Sequence, residues 1–302
     1  MNARRALLIV AAAAVILGFA ASAVQAQIKL PGKLGDAAQK AKDIAKVGKI
    51  LRSGFADITE EEEYYIGRSV AALILSRYPA SDNPALIQYL NVLGNAVALF
   101  SDRPEIFAGW HFLILDTDEV NALAAPGGMI FVTKGLLARC QDEETLALIL
   151  AHEIGHVAAK HGLQSIKKSR LTEAFTSLGA QAAQAYGPAE LAHVTSIFEG
   201  VLSDIVEKLV VNGYDRKSEH EADALAVKFG AATGYDPNSI LRFLQTMVGD
   251  KSAVSGKGWF KTHPTPEQRL EKTKGEIGKL KVTPAIEEVR TQRFKQNFAL
   301  LK

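Results

Sequence analysis

Two histidines flank a glutamate in the run Ala151-His-Glu-Ile-Gly-His156. Residues four apart in a helix lie one turn above each other, so the imidazoles of His152 and His156 can converge on one metal ion. Glu153 is rotated away from that line, where it can act as general base on a metal-bound water. The spacing alone does not decide the matter, because two surface histidines can share it by chance.

A catalytic zinc site needs three protein ligands and one open position, so a third ligand must lie elsewhere in the chain. The metzincin pattern requires a glycine at position 159 and a histidine at position 162, where this chain has Ala159 and Gly162. A thermolysin-like glutamate would fall near Thr176, and Glu173 lies outside the required helical context. Neither class of metallopeptidase fits.

The remaining candidate ligand is Glu219, on a second predicted helix with Asp223 one turn later. In that arrangement Glu219 ligates the metal, and Asp223 accepts a hydrogen bond from the far nitrogen of a ligand histidine. A glutamate and an aspartate at this spacing are also typical of a solvated helix face. The weight of the pair comes from the sequence around it.

Four sequence blocks together carry a family resemblance: Asn121-Ala-Leu-Ala-Ala-Pro-Gly-Gly-Met-Ile-Phe-Val-Thr-Lys-Gly-Leu-Leu137, Leu150-Ala-His-Glu-Ile-Gly-His-Val157, Arg216-Lys-Ser-Glu-His-Glu-Ala-Asp223 and Thr262-His-Pro-Thr-Pro-Glu-Gln-Arg269. Their order resembles the zinc metallopeptidases that include HtpX, BepA and the CAAX prenyl protease, in particular the small exported forms. The resemblance covers roughly Ile58 to Leu270.

The resemblance implies a zincin-like metallopeptidase domain with one Zn²⁺ per chain. His152, His156 and Glu219 would bind the zinc, Glu153 would be the base, and Asp223 would support a ligand histidine. The expected reaction is zinc-dependent cleavage of peptide bonds in unfolded or misassembled envelope proteins.

The resemblance also assigns roles around the metal. It implies an edge strand beside the cleft, where a substrate chain could add as a further strand; its residues are Asn121, Ala122, Leu123 and Ala124. Leu123 stands where relatives often carry an aromatic residue. His263 is expected near the metal, where it could fill the fourth position and hold the enzyme latent, or merely cap the next helix. Arg269 could orient Glu219, contact substrate or form a plain salt bridge.

The other histidines are not expected to bind the metal. His111 alternates within a strand, His193 is isolated among helices, and His220 lies about 100° around the helix from Glu219. His161 follows His156 by five residues, which turns it away from the metal-binding face.

The elements that must position these residues indicate an α+β fold that is mainly helical. A capping box formed by Thr59 and Glu62 predicts a helix to about Arg77. Further helices are predicted from Pro84, from Asp142 to about His161 with Gly162 as its stop, from about Lys217 to Phe229, from Asn238 to about Val248, and after His263. Two packed core helices are expected between Leu171 and Val211.

Runs rich in β-forming residues predict a small, mostly antiparallel sheet beside the metal-binding helix. Its strands are expected at Trp110–Leu115, Asn121–Ala125 and Met129–Thr133, with Pro126-Gly-Gly128 as a breaker. The middle segment is expected at the edge of the sheet.

Composition limits the class of protein. The chain has 302 residues, of which 48% are hydrophobic, and a net charge of +2. A globular core is therefore expected, and a nucleic-acid partner is not. The only cysteine, Cys140, cannot form an intramolecular disulfide.

The N-terminus predicts export. Arg4 and Arg5 precede an apolar run, which ends in small residues and a cleavage site after Ala26, so residues 1–26 are expected to be a signal peptide and the mature protein periplasmic. The alternative is a retained membrane anchor. Residues 27–57 form a basic segment that could contact anionic lipid or simply face solvent. Residues 58–302 are expected to form a single zinc metallopeptidase domain.

Two functional classes remain open at the level of the sequence. The first is the zinc endopeptidase. The second is an envelope chaperone or binding module that keeps the metallopeptidase fold and holds unfolded chains along the edge strand. Glu153 favours the enzyme, because a binding protein has no need of a general base.

Overall fold

The computed structural model describes residues 58–164, 206, 209, 213–249, 259–263, 266–280 and 287–299. Its elements, in chain order, are α1 (Glu60–Leu75), α2 (Pro84–Ala98), β1 (His111–Leu115), β2 (Ala122–Ala125), β3 (Met129–Thr133), α3 (Lys134–Leu137), α4 (Glu143–Ala158), α5 (His161–Gln164), α6 (Arg216–Ala232), α7 (Asn238–Gly249), α8 (Trp259–Thr262), α9 (Pro266–Ile277) and α10 (Glu287–Phe298). The predicted fold class, α+β and mainly helical, is confirmed.

The major helices begin at side chains that cap free backbone N–H groups. Asn83 accepts from Leu86 N before α2, Asp142 accepts from Thr145 N before α4, and Asp215 accepts before α6 in the same way. Such caps satisfy donors that have no partner within the helix. The helix starts predicted at Thr59, Pro84 and Asp142 therefore lie where the sequence placed them.

The predicted end of the metal-binding helix is wrong. Helix α4 ends at Ala158, and Lys160 takes a left-handed conformation with φ of 58°, after which α5 begins at His161. Gly162 is not the helix stop; it packs closely against Pro126, whose Cγ would lie 3.3 Å from a Cβ at this position. The break folds His161 back towards α4.

The three-stranded sheet is mixed, which corrects the expectation of a mostly antiparallel sheet. Its order is β1-β3-β2; β1 pairs with β3 in parallel, and β2 pairs with β3 in antiparallel. The hairpin through Gly127 and Gly128, with φ of 70° and 82°, joins β2 to β3. Because β2 takes the outer position, β3 lies next to β1, which runs in the same direction. The middle segment lies at the sheet edge, as predicted.

Helix α4 runs through the centre of the domain. It packs against α6, α2, α7 and strand β2, and every residue from Glu143 to Val157 is buried. At its start, the buried Glu143 accepts from Tyr89 Oη at 2.9 Å, Tyr235 Oη at 3.0 Å and Arg293 Nε at 2.7 Å. The C-terminal helix α10 is thereby tied to the base of α4.

At the other end of α4, a second buried carboxylate joins three parts of the fold. Glu63 on α1 accepts hydrogen bonds from both Nη atoms of Arg103 at 3.0 Å and from the backbone N–H of Gly127 at 3.2 Å. Arg103 also donates to the carbonyl of Val157, in the last turn of α4, at 3.3 Å. Helix α4 is therefore fixed at both ends.

Several expectations lie outside the described residues. They are the signal peptide at residues 1–26, the basic segment at residues 27–57 with its lipid contact, and most of the two core helices expected between Leu171 and Val211. Among the described residues, no helix combines the length and apolar character needed to cross a membrane.

The close approach of α1 to the hairpin gives the first prediction. A Cβ at Gly67 would lie 1.8 Å from the carbonyl oxygen of Pro126, so Gly67→Ala forces these backbones apart. We expect the free energy of unfolding to fall by about 1–3 kcal/mol, as for other overpacked sites. Urea unfolding measures the change.

Gly275→Ala is the matched control, because a Cβ at this position of α9 meets no atom within 4 Å. There the ordinary helix preference of alanine should raise stability by up to about 1 kcal/mol. Equal stabilisation by both substitutions would contradict the close approach at Gly67.

Candidate metal centre

Three segments bring four potential ligands together. His152 and His156 lie on α4, Glu219 on α6 and His263 directly after α8. One ligand atom from each of these buried residues lies within 4.8 Å of the other three. The structure thus places the three ligands predicted from the sequence side by side and adds His263 to them.

The imidazole nitrogens face each other at short distances. His156 Nε2 lies 3.1 Å from His152 Nε2 and 3.5 Å from Glu219 Oε1, and His263 Nδ1 lies 3.4 Å from His152 Nε2. The Nδ1 atom of His152 faces a carboxylate oxygen of Asp223 at 3.0 Å, which places the proton there and leaves a lone pair on Nε2.

Such a cluster fits a metal ion. Burial lowers the pKa of both His152 and His156, so both rings are held neutral. Neutral imidazoles whose lone pairs converge repel each other unless they share a cation, and imidazole with carboxylate is a donor set suited to divalent transition metals.

Glu153 lies beside the cluster without belonging to it. Its side chain is fully buried, and neither carboxylate oxygen has a hydrogen bond among the described residues. Oε1 lies 3.6 Å from His263 Nε2. Burial raises the pKa of Glu153 to about 7. A carboxylate left without hydrogen bonds is costly to bury, so its place next to the ligands calls for a chemical explanation.

Asp223 and Arg269 form a buried ion pair behind His152. Arg269 donates from Nε to Asp223 Oδ2 at 2.8 Å and from Nη2 to Oδ1 at 2.6 Å. Although burial alone would raise the pKa of Asp223, the guanidinium charge lowers it well below the usual range. Nη1 of Arg269 also lies 3.2 Å from Glu219 Oε2. One guanidinium therefore touches a candidate ligand and the residue that orients another.

Comparison with known proteins identifies the family. The sequence profile described as Peptidase family M48 matches residues 84–277 of the 302-residue chain. The chain belongs to peptidase family M48. This membership confirms the resemblance drawn from the sequence blocks and the predicted class of enzyme, a metallopeptidase.

Individual relatives are more distant. The beta-barrel assembly-enhancing protease of Yersinia pestis is 26% identical over 237 residues, 77% of this chain and 47% of that protein. The protein of the same name from Escherichia coli K12 is 27% identical over 215 residues, 69% of this chain and 42% of that protein. The mitochondrial metalloendopeptidase OMA1 of Schizosaccharomyces pombe is 26% identical over 229 residues, 73% of this chain and 63% of that protein. The chain spans about half the length of the assembly-enhancing proteases it matches.

In this M48 chain, the outer edge of β2 faces the segment from Trp259 to His263. Thr133 N donates to Asn121 O, so the antiparallel alternation turns the backbone groups of Ala122 and Ala124 away from β3. The Ala122 N–H donates to Asn121 Oδ1 at 2.9 Å, and the His263 ring lies beside the backbone of Ala122.

Residues 259–263 make two further contacts with Val120 and Asn121, which directly precede β2. Thr262 Oγ1 donates to Asn121 Oδ1 at 2.9 Å, and Trp259 N donates to Val120 O. All four residues of the predicted edge strand, Asn121 to Ala124, are buried. The outward N–H of Ala122, at the start of the strand, is therefore already engaged by the chain itself.

Sequence reasoning missed three residues that contact the cluster. The ring of Tyr214 stacks on His156 at 4.1 Å, and the ring of Trp259 stacks on His263 at 4.1 Å. The third is His161, which was expected to be turned away, but whose Nδ1 lies 2.9 Å from Nδ1 of His156. For Trp259 and Tyr214, proximity to the Thr262 and Arg216 blocks was the available signal.

The histidines not expected to bind the metal lie outside the cluster. His111 is exposed on β1, and His220 is not among the four clustered residues. His193 lies outside the described residues.

The buried ion pair gives the second prediction. Arg269→Met removes the charge that faces Asp223 and Glu219, and both carboxylates remain buried. Breaking a buried pair in this way should lower the free energy of unfolding by about 3–5 kcal/mol. Urea unfolding in the presence of a chelator measures the effect without a contribution from metal binding.

Lys274→Met on the same helix is the matched control, since Lys274 pairs with Glu271 at the surface. Its effect should stay below about 1 kcal/mol. Similar small losses for both variants would show that the Arg269 pair does not support the centre.

Proposed function

We propose that this chain is a zinc-dependent endopeptidase that cleaves unfolded or misassembled envelope proteins, with Glu153 as the base that activates water. The observation that carries the proposal is the orphaned, fully buried carboxylate of Glu153 beside four converging ligand groups. Names of matched relatives, beta-barrel assembly-enhancing protease and mitochondrial metalloendopeptidase, support the same class of reaction.

Zinc is the proposed ion, one per chain, held by His152, His156 and Glu219. Imidazole nitrogens with one carboxylate oxygen are a usual donor set of catalytic zinc sites, whereas calcium and magnesium prefer sites made of oxygen atoms alone. When bound, the zinc ion would supply Lewis acidity that polarises the scissile carbonyl and acidifies water.

The remaining steps fall to side chains of the protein. Glu153 takes a proton from the attacking water and delivers it to the nitrogen of the leaving amine. Asp223, held by Arg269, keeps the Nδ1 proton of His152 in place, so that the ring presents Nε2. The backbone of β2 binds the substrate as an added strand, through the groups of Ala122 and Ala124 that face away from β3.

The proposed substrate class rests on the geometry of β2, and the proposed cellular location rests on the N-terminal sequence. Only an extended chain can pair along β2, which favours unfolded polypeptides over folded ones. The proposed location is the periplasm, after removal of residues 1–26; retention of this segment as a membrane anchor is the alternative. The basic segment at residues 27–57 is proposed to contact the membrane surface.

The third prediction tests the base. Glu153→Gln should leave zinc uptake near one ion per chain and reduce cleavage of an unfolded protein such as casein by at least about 100-fold, the upper range of a lost general base being about 10⁴. His152→Ala, His156→Ala and Glu219→Ala should instead lose zinc. Metal analysis and a casein assay on each purified protein separate the two effects.

The alternative function, a chaperone or binding module, does not require Glu153. If wild-type protein prevents aggregation of unfolded chains without cutting them, and Glu153→Gln does the same equally well, the chain is a binding module. Full cleavage by Glu153→Gln would remove the assignment of the base.

We further propose that His263 holds the enzyme latent. Its Nδ1 lies 3.0 Å from Glu219 Oε1, its Nε2 lies 3.6 Å from Glu153 Oε1, and its ring lies beside the backbone of Ala122. It thus stands where it can take the fourth metal position and cover the strand edge. Movement of residues 259–263 would open both.

The fourth prediction concerns this restraint. His263→Ala should keep zinc through the other three ligands and cleave unfolded substrate faster than wild type, because nothing competes for the open position. His111→Ala, at an exposed histidine, is the control and should change neither property. Slower cleavage by a folded, zinc-loaded His263→Ala protein would show that His263 supports the site instead. Cleavage that persists in His263→Ala combined with Glu153→Gln would reveal a contaminating protease.

A further inference from the structure

His161 contacts the edge of the His156 ring that points away from the metal cluster. The two Nδ1 atoms are 2.9 Å apart, and His161 Nε2 lies 3.5 Å from Glu221 Oε2. His161 is only 3% exposed, whereas the Glu221 side chain is about half exposed. A buried imidazole thus links one candidate ligand to a carboxylate at the protein surface.

The direction of these hydrogen bonds follows from the cluster. His156 turns Nε2 towards His152 and Glu219, so Nε2 must carry the lone pair and Nδ1 the proton. His161 Nδ1 therefore accepts, and its own proton lies on Nε2, directed at Glu221. The opposite tautomer of His161 would set two N–H groups against each other at 2.9 Å.

The backbone is shaped to make this contact. His161 would lie away from His156 if α4 continued. Lys160 instead adopts φ of 58°, a backbone conformation that residues other than glycine rarely take. Tyr214 stacks on the face of the His156 ring at an interplanar angle of 17°. The ring of His156 is held by a hydrogen bond at its edge and by an aromatic ring against its face.

We propose that His161, supported by Glu221, is a positioning residue that fixes the tautomer and orientation of His156 in the metal centre. It would do for His156 what Asp223 does for His152, with a neutral imidazole in place of an ion pair. The inference deepens the proposed function, since it presupposes that His156 binds the metal.

The test compares zinc affinity among variants of the full chain by competition with a chromophoric chelator. His161→Phe keeps a ring of similar size but no acceptor, and zinc affinity should fall about 10–100-fold, as for other partners of ligand histidines. His161→Asn keeps an acceptor near the position of Nδ1 and should recover part of the loss. Glu221→Gln should cause a smaller loss.

Two measurements separate positioning from general damage. His220→Phe makes the same exchange at a histidine of α6 outside the cluster and should leave zinc affinity unchanged. The visible absorption of bound Co²⁺ should shift in His161→Phe and return towards the wild-type spectrum in His161→Asn, because it reports the ligand geometry.

Wild-type zinc affinity and an unchanged Co²⁺ spectrum in a folded His161→Phe protein would overturn the inference. Should that protein not fold, wild-type affinity in both His161→Asn and Glu221→Gln would overturn it equally. If the wild-type protein itself binds no zinc, the proposed function fails and the inference falls with it. Failure of the inference alone is recognised by tight zinc binding in every protein of the set.

Discussion

The ion pair between Arg269 and Asp223 is the interaction on which the geometry of the metal centre depends. Both side chains are almost completely buried, and burial of either charge alone would be prohibitive. Bidentate hydrogen bonds satisfy Asp223, and the remaining Nη1 of Arg269 faces Glu219. Helices α4, α6 and α9 meet at this pair. Their relative positions, and with them those of His152 and Glu219, are set by where one guanidinium can bind Asp223 and lie 3.2 Å from Glu219.

Helix α6 contributes three acidic side chains to the centre. Glu219 and Asp223 are one turn apart and share a face, so the first reaches the cluster while the second reaches His152. Glu221 lies between them in sequence and points to another side of the helix, where it meets His161 at the rim. Each candidate ligand histidine of α4 is therefore linked to an acidic residue of α6, His152 directly to Asp223 and His156 through His161 to Glu221.

The sequence predicts those parts of the fold that local chemistry determines. Helix starts at Pro84 and Asp142 carry their caps in the sequence, and the spacing of His152, Glu153 and His156 fixes their relative directions once the helix is known. The end of α4 was mispredicted because Lys160, which has no intrinsic preference for a left-handed conformation, adopts one there. Tertiary contacts of Arg103 with Glu63 and Val157 compete with local preference at this position.

Other features depend on contacts between distant segments, which spacing does not reveal. The parallel pairing of β1 with β3 follows from the outer position of β2, and no local pattern distinguishes it from an antiparallel meander. Tyr214 and Trp259 were missed because each reaches its histidine across the fold. The clustering of His152, His156 and Glu219 was easier to predict, since convergence on one ion would constrain residue type and helical spacing together.

The burial of β2 connects access to the strand with the state of the metal centre. A strand edge open to substrate would leave backbone groups without partners in the resting protein. Here Asn121 Oδ1 accepts from the Ala122 N–H, and residues 259–263 lie alongside, with Trp259 N bonded to Val120 O and Thr262 bonded to the Asn121 side chain. The His263 ring lies beside the backbone of Ala122 while its Nδ1 lies against Glu219. In the proposed mechanism, a chain that pairs with Ala122 must displace that ring and so frees the space beside Glu153. Binding of an extended substrate and opening of the site would then be one structural event, which confines cleavage to chains able to compete for the strand.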